Sequence, residues 1–196
     1  MQFWASPTFF MPSSLSSRSP PSVSFFSFPP WNLPRTKSLL SSTFTMSPEL
    51  QQVHKVWERT RTNSPIYEFL LSEVDVYDAE PGVVRARLQV GPRQLNSKGG
   101  LHGAFSASVT DWAGGMAIAS TGLDSTGVST DIHVNYLASA TTGDWLEIES
   151  RANKVGKSLA FTTVTISKKT ESGLTIVTQG SHTKYVRARP REGNVE

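Results

Sequence analysis

The chain has 196 residues, of which 37% are hydrophobic, and this length and composition suit one domain with a modest core. Its 19 basic and 16 acidic residues leave a net charge of +3 that lies wholly within residues 1–45, so the neutral remainder gives no support for nucleic-acid binding. The absence of Cys excludes disulfides, thiolate nucleophiles and Cys-based metal sites.

The first 45 residues differ from the rest in composition, with 12 Ser, 7 Pro and no acidic residue. Their prolines are incompatible with a long helix, and no apolar run reaches ten residues, so we expect neither a membrane span nor a secretory signal. A basic, Ser-rich segment without acids is typical of an organelle transit peptide, although the few basic residues and many prolines are unusual for one. The alternatives are a disordered tail or a misplaced start codon upstream of Met46.

We therefore predict a disordered tail over residues 1–46, a folded domain over residues 47–190 and a disordered C-terminus over residues 191–196. The tail predicts a mitochondrial location, with the cytosol as the alternative. A chain without Cys is compatible with either compartment.

The folded part begins with a helix and a β-hairpin. Ser47 provides an N-cap, Pro48 suits the first helical position, and apolar residues then recur on one face to about Arg59. Alternating apolar and polar residues follow on both sides of a turn at residues 80–82, which contains Pro and Gly. This pattern predicts two antiparallel strands with one face in water.

A single long helix is predicted from about His102 to about Gly122, where Gly provides a stop signal. Between Gly103 and Leu123 every residue is apolar, small or hydroxylated except Asp111. A helix that is apolar on nearly all sides belongs inside a protein, where a carboxylate is costly unless it is paired, hydrogen-bonded or used in chemistry. Asp111 is therefore either a structural residue that meets a backbone group or an Arg, or a functional one.

His102 and Gly103 lie at the predicted start of this helix, where backbone N–H groups lack partners and the helix dipole is positive. Such a position is suited to binding an anion or polarising a carbonyl oxygen, although a His there is more often a cap. Asp111 follows nine positions later, roughly 13 Å along the axis and on the opposite face. If these residues act on one bond, a second subunit must supply some of them, which predicts a site at a dimer interface.

Four extended segments follow, at residues 128–137, 145–155, 158–168 and 174–186, and the turns between them contain Gly. Short junctions predict antiparallel neighbours, so we expect the four strands to form a meander. In the first of them, alternation places Ser129 on one face together with Asp131, His133 and Asn135. The order of elements predicts an α+β fold in which a curved antiparallel sheet of five to six strands wraps a long central helix.

Five motifs occur in order along the chain: Asn96-x-x-Gly99-x-x-His102-Gly103, the isolated Asp111, Gly127-Val128-Ser129-x-Asp131, Lys154-x-Gly156-Lys157-Ser158-Leu159-Ala160-Phe161-Thr162 and Gln179-Gly180-x-His182-Thr183-Lys184. In order and spacing they resemble the hotdog-fold acyl-CoA thioesterases, over about residues 48–187. The resemblance implies the hotdog fold, which agrees with the predicted order of elements. The first 45 residues have no counterpart in that pattern.

The resemblance implies that the chain hydrolyses a fatty acyl-CoA, with medium to long chains favoured. The N–H of Gly103 would hold the thioester oxygen, and His102 and Asn96 would shape that end of the site. Asp111 would act as general base or as nucleophile, and Ser129 would orient the attacking water. The implied assembly is a homodimer with a shared active site, arranged as a dimer of dimers.

The resemblance also implies contacts with the CoA part of the substrate. Lys154, Lys157 and Lys184 are candidates for binding its phosphates, although lysines at strand ends more often serve only solubility. Tyr136 and His182 are weaker candidates for the channel of the CoA or pantetheine. The four His show no metal-binding spacing, so we expect no metal and no cofactor besides the CoA of the substrate.

Two other functions are compatible with such a fold. One is a hotdog enoyl-CoA hydratase, which would need an Asp and a His working on the same face, an arrangement that the nine-residue offset does not provide. The other is a non-catalytic dimer that binds acyl-CoA without hydrolysing it. A thiol-release assay distinguishes the second from a thioesterase.

Overall fold

The computed structural model describes residues 46–186. The predicted tail, apart from Met46, and the predicted C-terminus lie outside this range, as do residues 187–190 of the predicted domain. The described residues form three α-helices, one short 3-10 turn and six strands: α1 (Pro48–Thr62), α2 (Pro65–Leu71), β1 (Asp75–Glu80), β2 (Val83–Gln89), the turn (Pro92–Gln94), α3 (Gly103–Ala119), β3 (Val128–Tyr136), β4 (Trp145–Val155), β5 (Leu159–Thr170) and β6 (Gly173–Tyr185).

The first helix, α1, forms where its capping signals predict it. The Ser47 hydroxyl accepts a hydrogen bond from the Leu50 N–H at 3.1 Å, and Pro48 occupies the first helical position. Its buried face carries Leu50, Val53, Val56 and Trp57, which belong to the main core. The helix extends three residues beyond the predicted end at Arg59.

The second helix, α2, is absent from the sequence predictions. It has only seven residues, which is too few for a helical period to be recognised, and Leu71 is its one buried residue. The signals that could have located it are Ser64, which precedes the helix, and Pro65 at its first position. This omission matters, because α2 supplies a residue to the candidate site.

The sheet is antiparallel throughout, with the strand order β1-β2-β4-β5-β6-β3. The predicted meander of four strands is therefore wrong for β3, which pairs with β6 and not with β4. Tight turns join β4 to β5 and β5 to β6, but eight residues, 137–144, join β3 to β4. Three strand spacings amount to roughly 14 Å, and eight extended residues can span roughly 27 Å, so this connection is long enough to cross the sheet.

The central helix, α3, contacts strands β2 to β6 with most of its surface. Phe105, Val109, Trp112 and Met116 lie in the main core, as expected for a helix that is apolar on nearly all sides. Gly114 permits the close approach of helix and sheet, because a Cβ there would lie 2.6 Å from Thr162 Oγ1. Among residues 46–186, no helix is both long and apolar enough to cross a membrane.

Strand β3 contains a bulge that changes which of its side chains face the helix. Ser129 pairs with Lys184 and Asp131 pairs with Thr183, so Thr130 is an extra residue without a partner on β6. The prediction that Ser129 shares a face with Asp131, His133 and Asn135 is therefore wrong. Because of the bulge, Ser129 points toward α3, whereas the other three share the opposite face of the sheet.

Candidate active site

Asp111 lies in the middle of α3, and three other elements each direct a side chain to its carboxylate. Lys184 Nζ of β6 donates to Asp111 Oδ1 at 2.8 Å, and Ser129 Oγ of β3 donates to the same oxygen at 3.0 Å. The hydroxyl of Tyr67 in α2 donates to Asp111 Oδ2 at 2.7 Å. None of these three partners is an Arg or a backbone group, so the contacts differ from those expected if Asp111 had a purely structural role.

The sheet explains why two of these partners meet. Ser129 and Lys184 are directly opposite each other in the β3–β6 pair, and the bulge at Thr130 turns the Ser129 side chain toward the helix. The Thr130 hydroxyl donates to the Thr183 carbonyl at 2.9 Å, which ties the bulge to β6. The register of two strands therefore presents a hydroxyl and an ammonium group to one carboxylate oxygen.

The charge state of Asp111 follows from this environment. Burial acts to raise the pKa of Asp111, but hydrogen bonds from Lys184, Tyr67 and Ser129 and the positive charge of Lys184 outweigh it and hold that pKa below its ordinary value. The pKa of Tyr67 is raised, first by burial and then by its bond to Asp111, so Tyr67 remains a donor. An ionised carboxylate with 30% of its side chain exposed can accept a proton from water or attack a carbonyl carbon.

His182 is buried beside this group. Its Nε2 lies 3.6 Å from Asp111 Oδ1, and neither ring nitrogen has a hydrogen-bond partner within residues 46–186. Burial and the neighbouring charge of Lys184 lower the pKa of His182 to about 4, so the ring is neutral at neutral pH and Lys184 is the cation beside Asp111. The same described residues hold no group of three His, Asp or Glu side chains placed to bind a metal ion.

The start of α3 forms a second group of candidate residues. His102 is the N-cap, and its Nδ1 accepts the Ala104 N–H at 3.0 Å, which is the capping interpretation. Within residues 46–186 the Gly103 N–H has no hydrogen-bond partner. Asn96 Oδ1 accepts the N–H groups of Lys98 at 2.9 Å and Gly100 at 3.2 Å, so Asn96 organises the turn that leads to this N–H.

Tyr136 also lies at this helix start. Its hydroxyl donates to the Gly103 carbonyl at 3.2 Å, and a Cβ on Gly103 would lie 3.3 Å from the tyrosine ring. The aromatic ring therefore forms one wall beside the unpaired N–H. None of the contacts of Asp111 involves Asn96, His102 or Gly103, so one chain holds two separate groups of candidate residues.

The three candidate lysines have different environments. Lys154 and Lys157 are exposed near the β4–β5 turn and, within residues 46–186, form no ion pair. A cleft of about 340 Å³ lies beside Lys157 and is lined by Leu123, Val155 and Val186 among others. Lys184 is instead buried against Asp111, where its ammonium group is committed to the carboxylate.

The chain is similar to known proteins in both sequence and fold. Residues 98–188 match the family model of the Thioesterase superfamily. Human acyl-coenzyme A thioesterase 13 is 32% identical over 142 residues, which cover 72% of this chain and 97% of the human protein, and the mouse protein of the same name is 31% identical. The crystal structure of zebrafish thioesterase superfamily member 2 superposes with a TM-score of 0.61 at 32% identity, covering 67% of this chain and 94% of that one.

Proposed function

This chain belongs to the thioesterase superfamily, and from that premise we propose that it hydrolyses fatty acyl-CoA thioesters, with medium to long acyl chains favoured. The resemblance of the sequence motifs to the hotdog-fold acyl-CoA thioesterases is confirmed by the family match and by the relatives. The names of those relatives support CoA esters as the substrate class.

The observation that carries the proposal is the ionised, partly exposed carboxylate of Asp111. As a general base, Asp111 would take a proton from water while the water oxygen bonds to the thioester carbonyl carbon. The carbon–sulfur bond then breaks, and the CoA thiolate takes up the proton as the free acid is released. As a nucleophile, Asp111 would itself bond to that carbon, expel the thiolate and leave an anhydride for water to hydrolyse.

We place the oxyanion site at the start of α3. The unpaired Gly103 N–H would donate to the thioester oxygen and stabilise its negative charge in the transition state. His102 and Asn96 support this position through the cap and the turn that they form. Since Asp111 and Gly103 do not meet within one chain, Gly103 of the partner subunit would complete each site.

Strand β3 supports a homodimer of this kind. It lies at the edge of the sheet and exposes large apolar side chains at Val128, Ile132 and Tyr136. Exposed apolar residues on an unpaired edge are suited to burial against a second copy. We further propose that two dimers associate into a tetramer, which sedimentation at several protein concentrations would test.

Exposed apolar side chains on α2 favour medium to long acyl chains. Ile66 and Phe69 flank Tyr67 in sequence, and each is 57% exposed, an unusual number of large apolar side chains for a seven-residue helix. Tyr67 contacts Asp111, so α2 lies beside the reacting position, and Ile66 and Phe69 share a neighbouring face of this helix. An acyl chain long enough to cover both side chains would gain about 25 cal/mol for each Å² of apolar surface buried.

The phosphates of the CoA part of the substrate are assigned to exposed lysines near the β4–β5 turn. Lys154 and Lys157 are exposed and available to its phosphates, whereas Lys184 is committed to Asp111. Tyr136 is exposed beside Gly103 and suits a position along the pantetheine arm. His182 is buried, so any contribution it makes to that channel acts through its neighbours.

A thiol-release assay over acyl-CoA chains from two to eighteen carbons would test this function. We expect turnover to rise with chain length into the medium to long range. Binding of acyl-CoA without thiol release would favour the non-catalytic dimer instead. Turnover confined to the shortest chains would contradict the assignment of α2 to the acyl chain.

We also propose a mitochondrial location, with the cytosol as the alternative. This rests only on the composition of residues 1–45, which lie outside the described part of the chain. A reporter protein carrying these residues at its N-terminus would test it. A purely cytosolic reporter would contradict the mitochondrial assignment.

A further inference from the structure

The two oxygens of Asp111 have different hydrogen-bond partners. Oδ1 accepts from Lys184 and from Ser129, whereas within residues 46–186 Oδ2 accepts only from Tyr67. A carboxylate has about four acceptor positions, two on each oxygen. Oδ1 is therefore fully used, and the free acceptor position belongs to Oδ2.

From this asymmetry we infer that Oδ2 is the oxygen of Asp111 that reacts and that Tyr67 is the residue that positions it. The inference rests on the proposed thioesterase function and holds for both routes. As a base, Oδ2 takes the proton of the attacking water. As a nucleophile, Oδ2 forms the bond to the thioester carbon as the carbon–sulfur bond breaks and the thiolate leaves.

The setting of Tyr67 is rigid enough for this role. Its ring packs on Trp57 with centroids 6.3 Å apart, and Trp57 packs edge-on against Trp112, the residue that follows Asp111, at 5.2 Å. The main chain of α2 is held as well, because the buried Gln94 donates to the Leu70 carbonyl at 3.0 Å. Tyr67 therefore meets Asp111 from a fixed direction.

Gln94 also connects this arrangement to the start of α3. Its backbone carbonyl accepts the His102 N–H at 2.8 Å, while its side chain holds α2. One buried residue thus holds both the helix that carries Tyr67 and the helix start that carries Gly103. The short helix α2 is therefore part of the framework of the site.

Tyr67 also influences the protonation of Asp111. The charged and titratable groups that face Asp111 are Lys184 and His182 from β6 and Tyr67 from α2. Lys184 and Tyr67 both favour the ionised carboxylate, and His182 is neutral at neutral pH. Removing the Tyr67 hydroxyl should raise the pKa of Asp111 and leave Oδ2 free to rotate away from its reactive direction.

The test is Tyr67→Phe, which keeps the ring on Trp57 and removes only the donor. We expect kcat to fall on the order of tenfold to a hundredfold with KM within about twofold of wild type, because Oδ2 is no longer held in its reactive direction. The acid limb of the kcat/KM profile should move to higher pH. The matched control is Tyr77→Phe, since the exposed Tyr77 donates to Glu147 on the outer face at 3.0 Å and should leave kcat unchanged.

A Tyr67→Phe variant with wild-type kcat, or with an acid limb that stays in place, would overturn the inference. Carbon-13 NMR titration of the Asp111 carboxyl in wild type and Tyr67→Phe gives a readout that needs no turnover, and an unchanged titration would overturn it too. If the wild type releases no thiol from any acyl-CoA, the proposed function fails, while the NMR titration still decides whether Tyr67 controls Asp111.

Discussion

Lys184 and Asp111 form an ion pair in which the lysine is buried and the aspartate is partly exposed. The Lys184 side chain is 5% exposed, whereas the Asp111 side chain is 30% exposed, and their charged atoms lie 2.8 Å apart. The cation is therefore kept from the substrate while the carboxylate remains accessible to it. An ammonium group in this position neutralises the buried part of the carboxylate without blocking the face that would meet a thioester.

The first prediction concerns Asp111 itself. Asp111→Asn keeps the shape of the side chain but removes the base or nucleophile, so we expect kcat to fall on the order of a hundredfold or more with folding intact. Asp124→Asn is the matched control, because Asp124 forms an exposed ion pair with Lys55 away from the site. Near wild-type turnover in purified Asp111→Asn would refute the mechanism.

The second prediction concerns Lys184. Lys184→Met leaves Asp111 without its buried cation, so the free energy of unfolding at pH 7 should fall by about 2 kcal/mol or more. Combining it with Asp111→Asn removes the unpaired charge and should recover much of this loss. Lys55→Met, which breaks the solvent-exposed pair with Asp124, should cost much less than Lys184→Met. Denaturant titration of wild type and the three variants measures these differences, and equal losses for Lys184→Met and Lys55→Met would contradict the prediction.

The third prediction concerns His182 and pH. Burial lowers its pKa from 6.5 to about 4 in the folded state, so between these values the unfolded chain binds a proton that the folded chain does not. This contribution to stability is fully present above about pH 6.5 and is lost as the pH falls toward 4, amounting to at most about 3 kcal/mol.

Denaturant titrations of wild type and His182→Asn from pH 7.5 down to 4.5 would measure this contribution. At pH 7.5 His182 is neutral in both states, so that point sets the baseline for each protein. The variant should lose less stability than wild type over the range. Parallel pH dependence in the two proteins would show that folding does not alter the protonation of His182.

The fourth prediction is that each site is shared between two subunits. Asp111→Asn subunits lack the carboxylate, and a double variant with Asn96→Ala and His102→Ala lacks the support of the Gly103 N–H. Heterodimers formed by mixing and refolding both inactive proteins carry one intact composite site, so a measurable part of the activity should return. Sites contained within single chains would leave every mixture inactive.

Local patterns predicted the elements of this fold better than their arrangement. The cap at Ser47, the turn at residues 80–82 and the apolar helix around Asp111 are all signals within a few residues, and the structure confirms them. The pairing of β3 with β6 depends on contacts between residues that are far apart in sequence. Periodicity alone carries no information about such contacts.

In the candidate site, too, local signals were predictable from the sequence and contacts between distant residues were not. Asp111 could be identified because one charge interrupts a long apolar helix, and Gly103 because a helix start leaves an N–H unpaired. Tyr67 is not predicted because its helix is short, and the pairing of Lys184 with Asp111 is not predicted because a lysine near a strand end resembles a surface residue. Only the packing of β6 against α3 reveals that this lysine is buried.

The bulge at Thr130 determines which face of β3 carries the Ser129 side chain. Counted back from Asn135, alternation assigns His133 and Asp131 to the outer face, and Ser129 would follow them without the bulge. Deleting Thr130 would place Ser129 directly before Asp131, where simple alternation without a bulge would keep Ser129 on the helix face and opposite Lys184. The bulge thus lets β3 hold one more residue than β6 over this stretch while Ser129 stays on the face that contacts Asp111.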